Sequence, residues 1–213
     1  MPDPPFRFDE DTERRERFHL DRIRAFGQEN PLPDDLVVEI GSNRCRFLAE
    51  LAQRWPDRFL LGVEWRMKYA EMGRELLNES GVENARVLQA DAALAFPVLL
   101  DDGQITDLFI LFPDPWWKKR HRKRRIIRPD FLDLAAKKIR PGGHLWIRTD
   151  VGPLAEDMEE VLAAHPAFEP LPLEEFPLVP FPRTTRERTI LKRGLPVHPL
   201  YYRRVAQWES PNP

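Results

Sequence analysis

The sequence predicts an α/β fold, in which a mostly parallel β-sheet carries helices on both faces. Between about residues 36 and 150, short apolar segments alternate with segments of helical periodicity. The apolar segments lack the strict alternation of a half-exposed sheet, which is typical of strands that crossover helices cover on both faces. The chain has 213 residues and is 42% hydrophobic, which is enough for one domain with a substantial core.

Seven strands are predicted. Five buried ones are Leu36–Ile40, Phe59–Glu64, Ala85–Gln89, Thr106–Phe112 and His144–Thr149. A weak strand near Phe168 and a last strand at Tyr201–Trp208 complete the set. The stretch from Pro170 to Pro182 between them is rich in proline and cannot form a regular helix.

Apolar residues at helical spacing predict the helices. The i, i+3, i+4, i+7 pattern occurs at Leu48, Leu51, Ala52 and Trp55 and again at Leu132, Ala135, Ala136 and Ile139. Further helices are expected at Met67–Glu79 and from Pro153 to Leu162. An amphipathic helix at Thr12–Phe26 belongs to an N-terminal arm of residues 1–33, and residues 34–213 are expected to form a single domain.

The positive charge of the chain is concentrated in one segment. The net charge is −2, yet seven of the eight residues from Lys118 to Arg125 are Lys or Arg, so the rest of the chain is acidic. This segment predicts binding of a polyanion in one orientation, although a solvated loop or a nuclear-localisation tract would look similar. Cys45 and the five His residues show no metal-ligand spacing, so no metal is expected.

The chain contains no apolar stretch of membrane-spanning length, and its first residues lack the pattern of a secretion signal. We therefore expect a soluble, cytoplasmic protein that does not interact with membranes. The oligomeric state stays open.

Acidic residues follow the predicted strands, where ligands bind in open α/β sheets. They are Glu39, Glu64, Asp91, Asp114 and Asp150. Any one of them could be a helix cap, but five at successive strand ends indicate a ligand site.

Two cofactors fit these acidic residues. Glu64 lies 25 residues after Glu39, a spacing that suits the ribose hydroxyls of either NAD or S-adenosylmethionine. The turn Gly41-Ser42-Asn43-Arg44-Cys45 has one glycine, which is poor for binding a pyrophosphate. S-adenosylmethionine has no phosphate and carries a positive sulfonium, so acidic strand ends favour it.

The loop Pro113-Asp114-Pro115-Trp116-x-Lys118, followed by Arg120-His121-x-Lys123-Arg124-Arg125, resembles the signature of the tRNA (guanine-N7)-methyltransferases. The resemblance spans residues 36–187. It implies a class I methyltransferase with a Rossmann-like, seven-stranded sheet whose final strand is antiparallel. It also implies transfer of a methyl group from S-adenosylmethionine to N7 of a variable-loop guanosine in tRNA.

The same resemblance implies a role for individual residues. The cofactor-binding residues would be Glu39, Gly41, Glu64, Asp91 and Asp114, and Asp114 would also be catalytic. The substrate-binding residues would be Lys118, Asp150, Thr184 and Glu187. The RNA-binding residues would be Arg120, Arg122, Lys123, Arg124 and Arg125. The chain departs from the family pattern at Asn43 and Cys45, which replace glycines, and at Arg186, which replaces an aromatic residue.

Guanine N7 already carries a lone pair, so this reaction needs no base, and catalysis should rest on positioning and on carboxylates that stabilise developing positive charge. We expect one of Trp116 and Trp117 in the core and the other near the base. Three alternatives stay open. They are a catalytically silent RNA-binding relative, a methyltransferase for an exocyclic base nitrogen, suggested by Asp114-Pro115-Trp116, and, least favoured, a nicotinamide-dependent dehydrogenase.

Overall fold

The structure is a computed structural model, and it describes residues 10–172 and 181–208. Its strands are Leu36–Ile40 (β1), Phe59–Glu64 (β2), Ala85–Gln89 (β3), Ile105–Leu111 (β4), Ile139–Thr149 (β5), Phe168–Pro170 (β6) and His198–Arg204 (β7). They form one sheet in the order β3-β2-β1-β4-β5-β7-β6. β1 to β5 are parallel, while β7 is antiparallel to both β5 and β6. The predicted α/β class, with seven mostly parallel strands, is confirmed.

Helices connect the strands and cover both faces of the sheet. They are Glu10–Glu29 (α1), Arg46–Arg54 (α2), Met67–Glu79 (α3), Ala92–Leu99 (α4), Pro129–Lys138 (α5), Gly152–Ala163 (α6) and Thr185–Lys192 (α7). A 3-10 helix covers Lys119–Arg124. Apolar spacing does not indicate α4, which has apolar residues all round, or α7, which has few.

Alternate residues of each central strand point to opposite faces of the sheet. Leu36 and Val38 belong to a core cluster that α1, α4, α5 and α6 complete. Val37 points the other way, into a cluster with α2, α3 and the aromatic residues Phe109 and Trp146. The sheet is therefore buried on both faces, which explains why its strands read as continuous apolar runs.

Three strands have different bounds from those predicted, and one of them, β4, is shifted by a single residue, to Ile105–Leu111 from Thr106–Phe112. β5 begins at Ile139 rather than His144, because the chain keeps its pairing with β4 through an irregular register around Gly142, whose φ of 76° suits glycine. β7 runs from His198 to Arg204 rather than from Tyr201 to Trp208. Pro199 obscures its start, but this proline lies beyond the pairing with the short β6 and needs no second ladder partner.

The described part of α1 packs on the domain. Ile23 is 1% exposed and joins the core cluster beside α4. Gly27 allows a close approach, since a Cβ there would lie 2.8 Å from Cδ1 of Leu99. The boundary expected at residue 33 remains a prediction, and most of the expected proline-rich stretch, residues 173–180, lies outside the described residues.

Candidate active site

The carboxyl ends of β1 to β5 meet at one edge of the sheet, and two adjoining clefts open there. The first cleft has a volume of about 520 Å³ and is lined by residues that include Glu64, Trp65, Asp91 and Trp116. The second has a volume of about 910 Å³ and is lined by residues that include Glu39, Asp150, Thr184 and Arg186. Both clefts share Gly41, Asn43, Leu111, Phe112 and Asp114. The structure thus brings all five predicted strand-end carboxylates to one groove.

The turn after β1 has a left-handed backbone at Gly41 and at Asn43 and Cys45, the two positions where the chain departs from the glycines of the family pattern. Gly41, Asn43 and Cys45 have φ values of 75°, 49° and 55°, so every second residue is left-handed. Asn tolerates this conformation, while Cys is strained in it by roughly 1 kcal/mol. Nothing lies within 4 Å of a Cβ built on Gly41, so this side of the turn faces open space.

Glycines outside the turn make room for its side chains. A Cβ on Gly73, in the middle of α3, would lie 2.6 Å from Sγ of Cys45. A Cβ on Gly62 of β2 would lie 2.7 Å from Oγ of Ser42. Burial raises the pKa of the Cys45 thiol to about 12, so it stays neutral and acts as a packing group. Gly73 of the facing helix α3 therefore leaves the space that the Cys45 side chain fills.

Glu64 fastens the turn to the end of β2. Its two carboxylate oxygens accept hydrogen bonds from the backbone N–H groups of Asn43 and Arg66, each at 2.9 Å. The residue is 4% exposed and still lines the first cleft. Since a carboxylate can accept about four hydrogen bonds, two positions stay available for hydroxyl groups of a ligand.

Asp91 has a structural role on the same edge. It is the N-cap of α4, and its Oδ1 accepts a hydrogen bond from the N–H of Ala93 at 2.8 Å. The side chain remains exposed and borders the first cleft beside Glu64. The cap fixes its direction toward the ligand space.

Glu39 is a buried carboxyl group that lacks a hydrogen bond to one of its oxygens within the described residues. It is 4% exposed, and its Oε2 has no hydrogen-bond partner among the described residues. Burial, and then the charge of Glu64, raise the pKa of Glu39 to about 8. Asp107, at the opposite end of the sheet, shows the contrast: burial would raise its pKa, but hydrogen bonds with His144, Trp146 and Arg58 lower it to about 2. An unpartnered carboxyl beside a cleft fits a cationic ligand.

Asp114 stands where the two clefts join. Its side chain is 60% exposed, and an oxygen lies 3.8 Å from a guanidinium nitrogen of Arg66. Phe112 and Trp116 on either side have left-handed backbones, with φ values of 54° and 45°. Strained residues around one exposed carboxylate are common at functional sites, so the loop is a candidate for the reacting centre.

The expectation of one tryptophan in the core was wrong. Trp116 is half-buried and lines the first cleft, where the Arg124 guanidinium lies 5.1 Å from its ring centroid. Trp117 is 66% exposed. The aromatic core of the sheet is built instead around Phe109 and Trp146.

The residues expected to bind substrate differ in their exposure and in the partners that their side chains already have. Asp150 accepts two hydrogen bonds from Arg186, at 3.0 and 2.9 Å. Glu187 is 6% exposed and paired with Arg148 at 2.9 Å. Thr184 caps α7, with its Oγ1 accepting from the N–H of Glu187 at 3.0 Å, while Lys118 is exposed. Glu187 is therefore a structural anchor of α7 in this state, and Asp150 and Thr184 face the second cleft.

The basic segment is a 3-10 helix rather than an irregular loop. Arg120, Arg122, Lys123 and Arg124 are exposed. Arg125 differs from them, since its side chain is 13% exposed, pairs with Asp157 of α6, and donates from Nε to the Pro115 carbonyl at 2.9 Å. This cation ties the Asp114 loop to the domain, so its geometry suits support of the loop more than contact with RNA.

Three arginines on the second cleft were missed by the sequence reasoning. Arg44, Arg46 and Arg193 are exposed, and none of them has an acidic partner within 4 Å in the described part of the chain. Arg44 and Arg46 flank Cys45 in the turn, a signal that the sequence contained. Arg193 could not be placed, because α7 was not predicted.

Across residues 10–172 and 181–208, no group of three or more His, Cys, Asp or Glu side chains is arranged to hold a metal ion. Among the described helices, none is both long and apolar enough to cross a membrane.

Comparison with known proteins agrees with this geometry. A family model described as "Putative methyltransferase" matches residues 33–200. The tRNA (guanine-N(7)-)-methyltransferase of Alkalilimnicola ehrlichii is 38% identical over 87% of this chain and 77% of its own length. The enzyme of the same name from Thermosynechococcus vestitus is 31% identical over 90% of this chain and 96% of its own length.

Solved structures share the fold. A SAM-dependent methyltransferase from Aquifex aeolicus has a TM-score of 0.56 at 13% identity, covering 93% of this chain and 100% of that one. The aminoglycoside resistance methyltransferase NpmB1 has a TM-score of 0.55 at 18% identity, covering 85% and 93%. The sequence relatives are similar enough, and over enough of their length, to decide the matter: the chain belongs to the tRNA (guanine-N7)-methyltransferase family.

Proposed function

We propose that this protein transfers a methyl group from S-adenosylmethionine to N7 of a variable-loop guanosine in tRNA. The observation that carries the proposal is the meeting of the two clefts at Asp114. The first cleft offers Glu64 and Asp91 for hydroxyl groups, and the second offers Glu39 for a cation and Asp150 for a base. The intact left-handed turn favours an enzyme over a silent RNA-binding relative.

The first cleft and Glu39 have the features that the cofactor requires. When bound, S-adenosylmethionine supplies an electrophilic methyl group on a positively charged sulfur. Glu64 and Asp91 would hold its hydroxyl groups, and the open side of Gly41 leaves room against the backbone. Glu39 would face its cationic end, where the carboxyl group would lose its proton as it gains a positive neighbour.

The second cleft would hold the guanine. A base turned out of its stack presents the N1–H and N2–H donors as a pair, and the two oxygens of Asp150 can accept them. Thr184, which lines this cleft, and Lys118, which follows Asp114 by four residues in the chain, would contact the ribose or its phosphate. Glu187 would act indirectly, by holding α7 through Arg148.

Asp114 would serve the reaction without removing a proton. Guanine N7 attacks with its own lone pair, so the protein contributes alignment of the two reactants. As the methyl group moves, positive charge appears on the purine, and a carboxylate at the junction of the clefts stabilises it. The pair with Arg66 would keep Asp114 oriented before the substrates arrive.

The exposed cations of the 3-10 helix would bind phosphates of the tRNA without reading its sequence. We assign this role to Arg120, Arg122, Lys123 and Arg124, and a supporting role to Arg125. Since tRNA is the substrate, we place the activity in the cytoplasm.

The test is chemical. The protein is incubated with tRNA and methyl-labelled S-adenosylmethionine, the tRNA is digested to nucleosides, and the label is expected in 7-methylguanosine. Asp114→Asn should lower turnover by at least about 100-fold at unchanged melting temperature. Asp35→Asn is the matched control, because Asp35 is also an exposed carboxylate paired with an arginine, Arg140, but lies ahead of β1 at the other edge of the sheet. Label in another nucleoside would refute the proposal.

A further inference from the structure

Arg186 is hydrogen-bonded to Asp150, the carboxylate that is proposed to bind the guanine base. Its Nε and Nη2 donate to Oδ1 and Oδ2 of Asp150 at 3.0 and 2.9 Å. The Asp150 side chain is 12% exposed, whereas that of Arg186 is 54% exposed. Both residues line the second cleft. An exposed cation therefore covers a largely buried carboxylate in the wall of the cleft.

The chemistry of this contact is the chemistry of guanine. A guanidinium presents two parallel N–H donors attached to one carbon. Guanine presents N1–H and N2–H in the same arrangement, because its N1–C2–N2 unit is itself a guanidine. A carboxylate that accepts both donors of Arg186 cannot at the same time accept both donors of a base in the same geometry.

Arg186 also takes up an aromatic surface beside that carboxylate. Its guanidinium carbon lies 5.8 Å from the centroid of the Phe112 ring. Phe112 is shared by the two clefts and has a left-handed backbone with a φ of 54°. A planar cation over this ring occupies space where a planar base could stack.

The side chain can leave without disturbing its helix. Arg186 lies in the first turn of α7, and the two residues that follow it anchor the helix independently. Glu187 is bound to Arg148, and Arg188 is bound to Glu50 with distances of 2.7 and 2.6 Å. Rotation of the exposed Arg186 side chain breaks one ion pair and leaves these anchors in place.

We propose that Arg186 is an internal competitor of guanine, which holds the Asp150 carboxylate while tRNA is absent and is displaced when the target base enters. The inference rests on the proposed function. In the free protein Arg186 keeps a nearly buried carboxylate paired, and it withholds that carboxylate from any group that cannot offer an equal pair of donors.

Replacement of Arg186 tests this directly. Arg186→Ala removes the competitor and leaves Asp150 in need of donors, so the KM for tRNA should fall by about three- to tenfold, as expected for loss of one exposed bidentate pair. The kcat and the KM for S-adenosylmethionine should stay the same. Arg186→Lys, which keeps the charge but cannot form the fork, should lie between Arg186→Ala and the unchanged protein.

Arg188→Ala is the matched control. It removes another exposed ion pair from the same helix, in which Nη2 of Arg188 donates to both carboxylate oxygens of Glu50, but neither Arg188 nor Glu50 lines either of the two clefts. It should leave the KM for tRNA unchanged. A comparable fall in KM for this variant would mean that loosening of α7, rather than release of Asp150, produces the effect, and would overturn the inference.

A binding measurement provides a readout without turnover. Guanosine 5′-monophosphate, titrated by calorimetry, should bind Arg186→Ala more tightly than the unchanged protein by the same factor, and adenosine 5′-monophosphate should show no gain. The inference would be overturned if a folded Arg186→Ala showed an unchanged or higher KM for tRNA, or an unchanged or lower affinity for guanosine 5′-monophosphate. The proposed function fails separately, if the unchanged protein forms no 7-methylguanosine.

Discussion

The proposed role of Glu39 predicts that cofactor binding is coupled to the release of a proton. Its pKa is raised from 4.5 to about 8 by burial and by Glu64. At pH 7 only about one molecule in ten then carries the carboxylate, and at pH 6 about one in a hundred. Because a cationic ligand favours the ionised form, the association constant for S-adenosylmethionine should rise by up to about 50-fold between pH 6 and pH 8.

The effect on folding has the opposite direction. Between pH 4.5 and about 8 the native protein binds this proton and the unfolded chain does not. The contribution of Glu39 to the free energy of unfolding is therefore fully present below pH 4.5 and is lost as pH rises toward about 8. The protein without cofactor should become less stable over the range in which it binds the cofactor more tightly.

Calorimetry in buffers of different ionisation enthalpy measures both the affinity and the number of protons released. At pH 7 we expect Glu39 alone to release about 0.9 proton for each cofactor molecule bound. Glu39→Gln is the control, because the amino group of the cofactor titrates equally in both proteins. This variant should match the unchanged protein near pH 6 and bind more weakly near pH 8. Equal pH dependence in both proteins would refute the assignment of Glu39.

Two further predictions concern the turn and the arginines beside it. Gly73→Ala should lower the free energy of unfolding by about 1 kcal/mol, since crowding of Cys45 outweighs the gain in helix propensity, and Cys45→Gly should reverse the loss. A urea-denaturation cycle in which the two changes add within about 0.5 kcal/mol would contradict the contact. Replacing Arg44, Arg46 and Arg193 with Ala should flatten the slope of log affinity for tRNA against log salt by about 0.7 to 0.9 per lost contact, and an unchanged slope would exclude these arginines from the RNA interface.

The sheet could be predicted because its strands are buried on both faces and therefore appear as apolar runs. Pairing and burial decided the remaining boundaries. The start of β7 could not be predicted because it contains Pro199. The strand register shows that Pro199 pairs with β5 but not with β6. α4 lacks a polar face and contains Pro97, so neither periodicity nor propensity marked it.

The candidate site could be predicted as a set of strand-end carboxylates, but not the state of each. Sequence position makes Glu39 and Glu64 equivalent, whereas only Glu39 has an unpartnered oxygen. In the same way, Arg125 continues a run of cations, and only its burial against α6 separates it from them. Partners that are far apart in the chain decide these differences, and no local pattern records them.

The contact between Cys45 and Gly73 has a consequence for how such turns are recognised in other proteins. Space for the turn is a property shared by two segments that lie 28 positions apart, so a missing glycine in one can be offset by a glycine in the other. A search that demands three glycines in a row of five residues would discard this chain, whereas one that scores both segments jointly would retain it. Inactive relatives should then be sought where both segments carry bulky side chains.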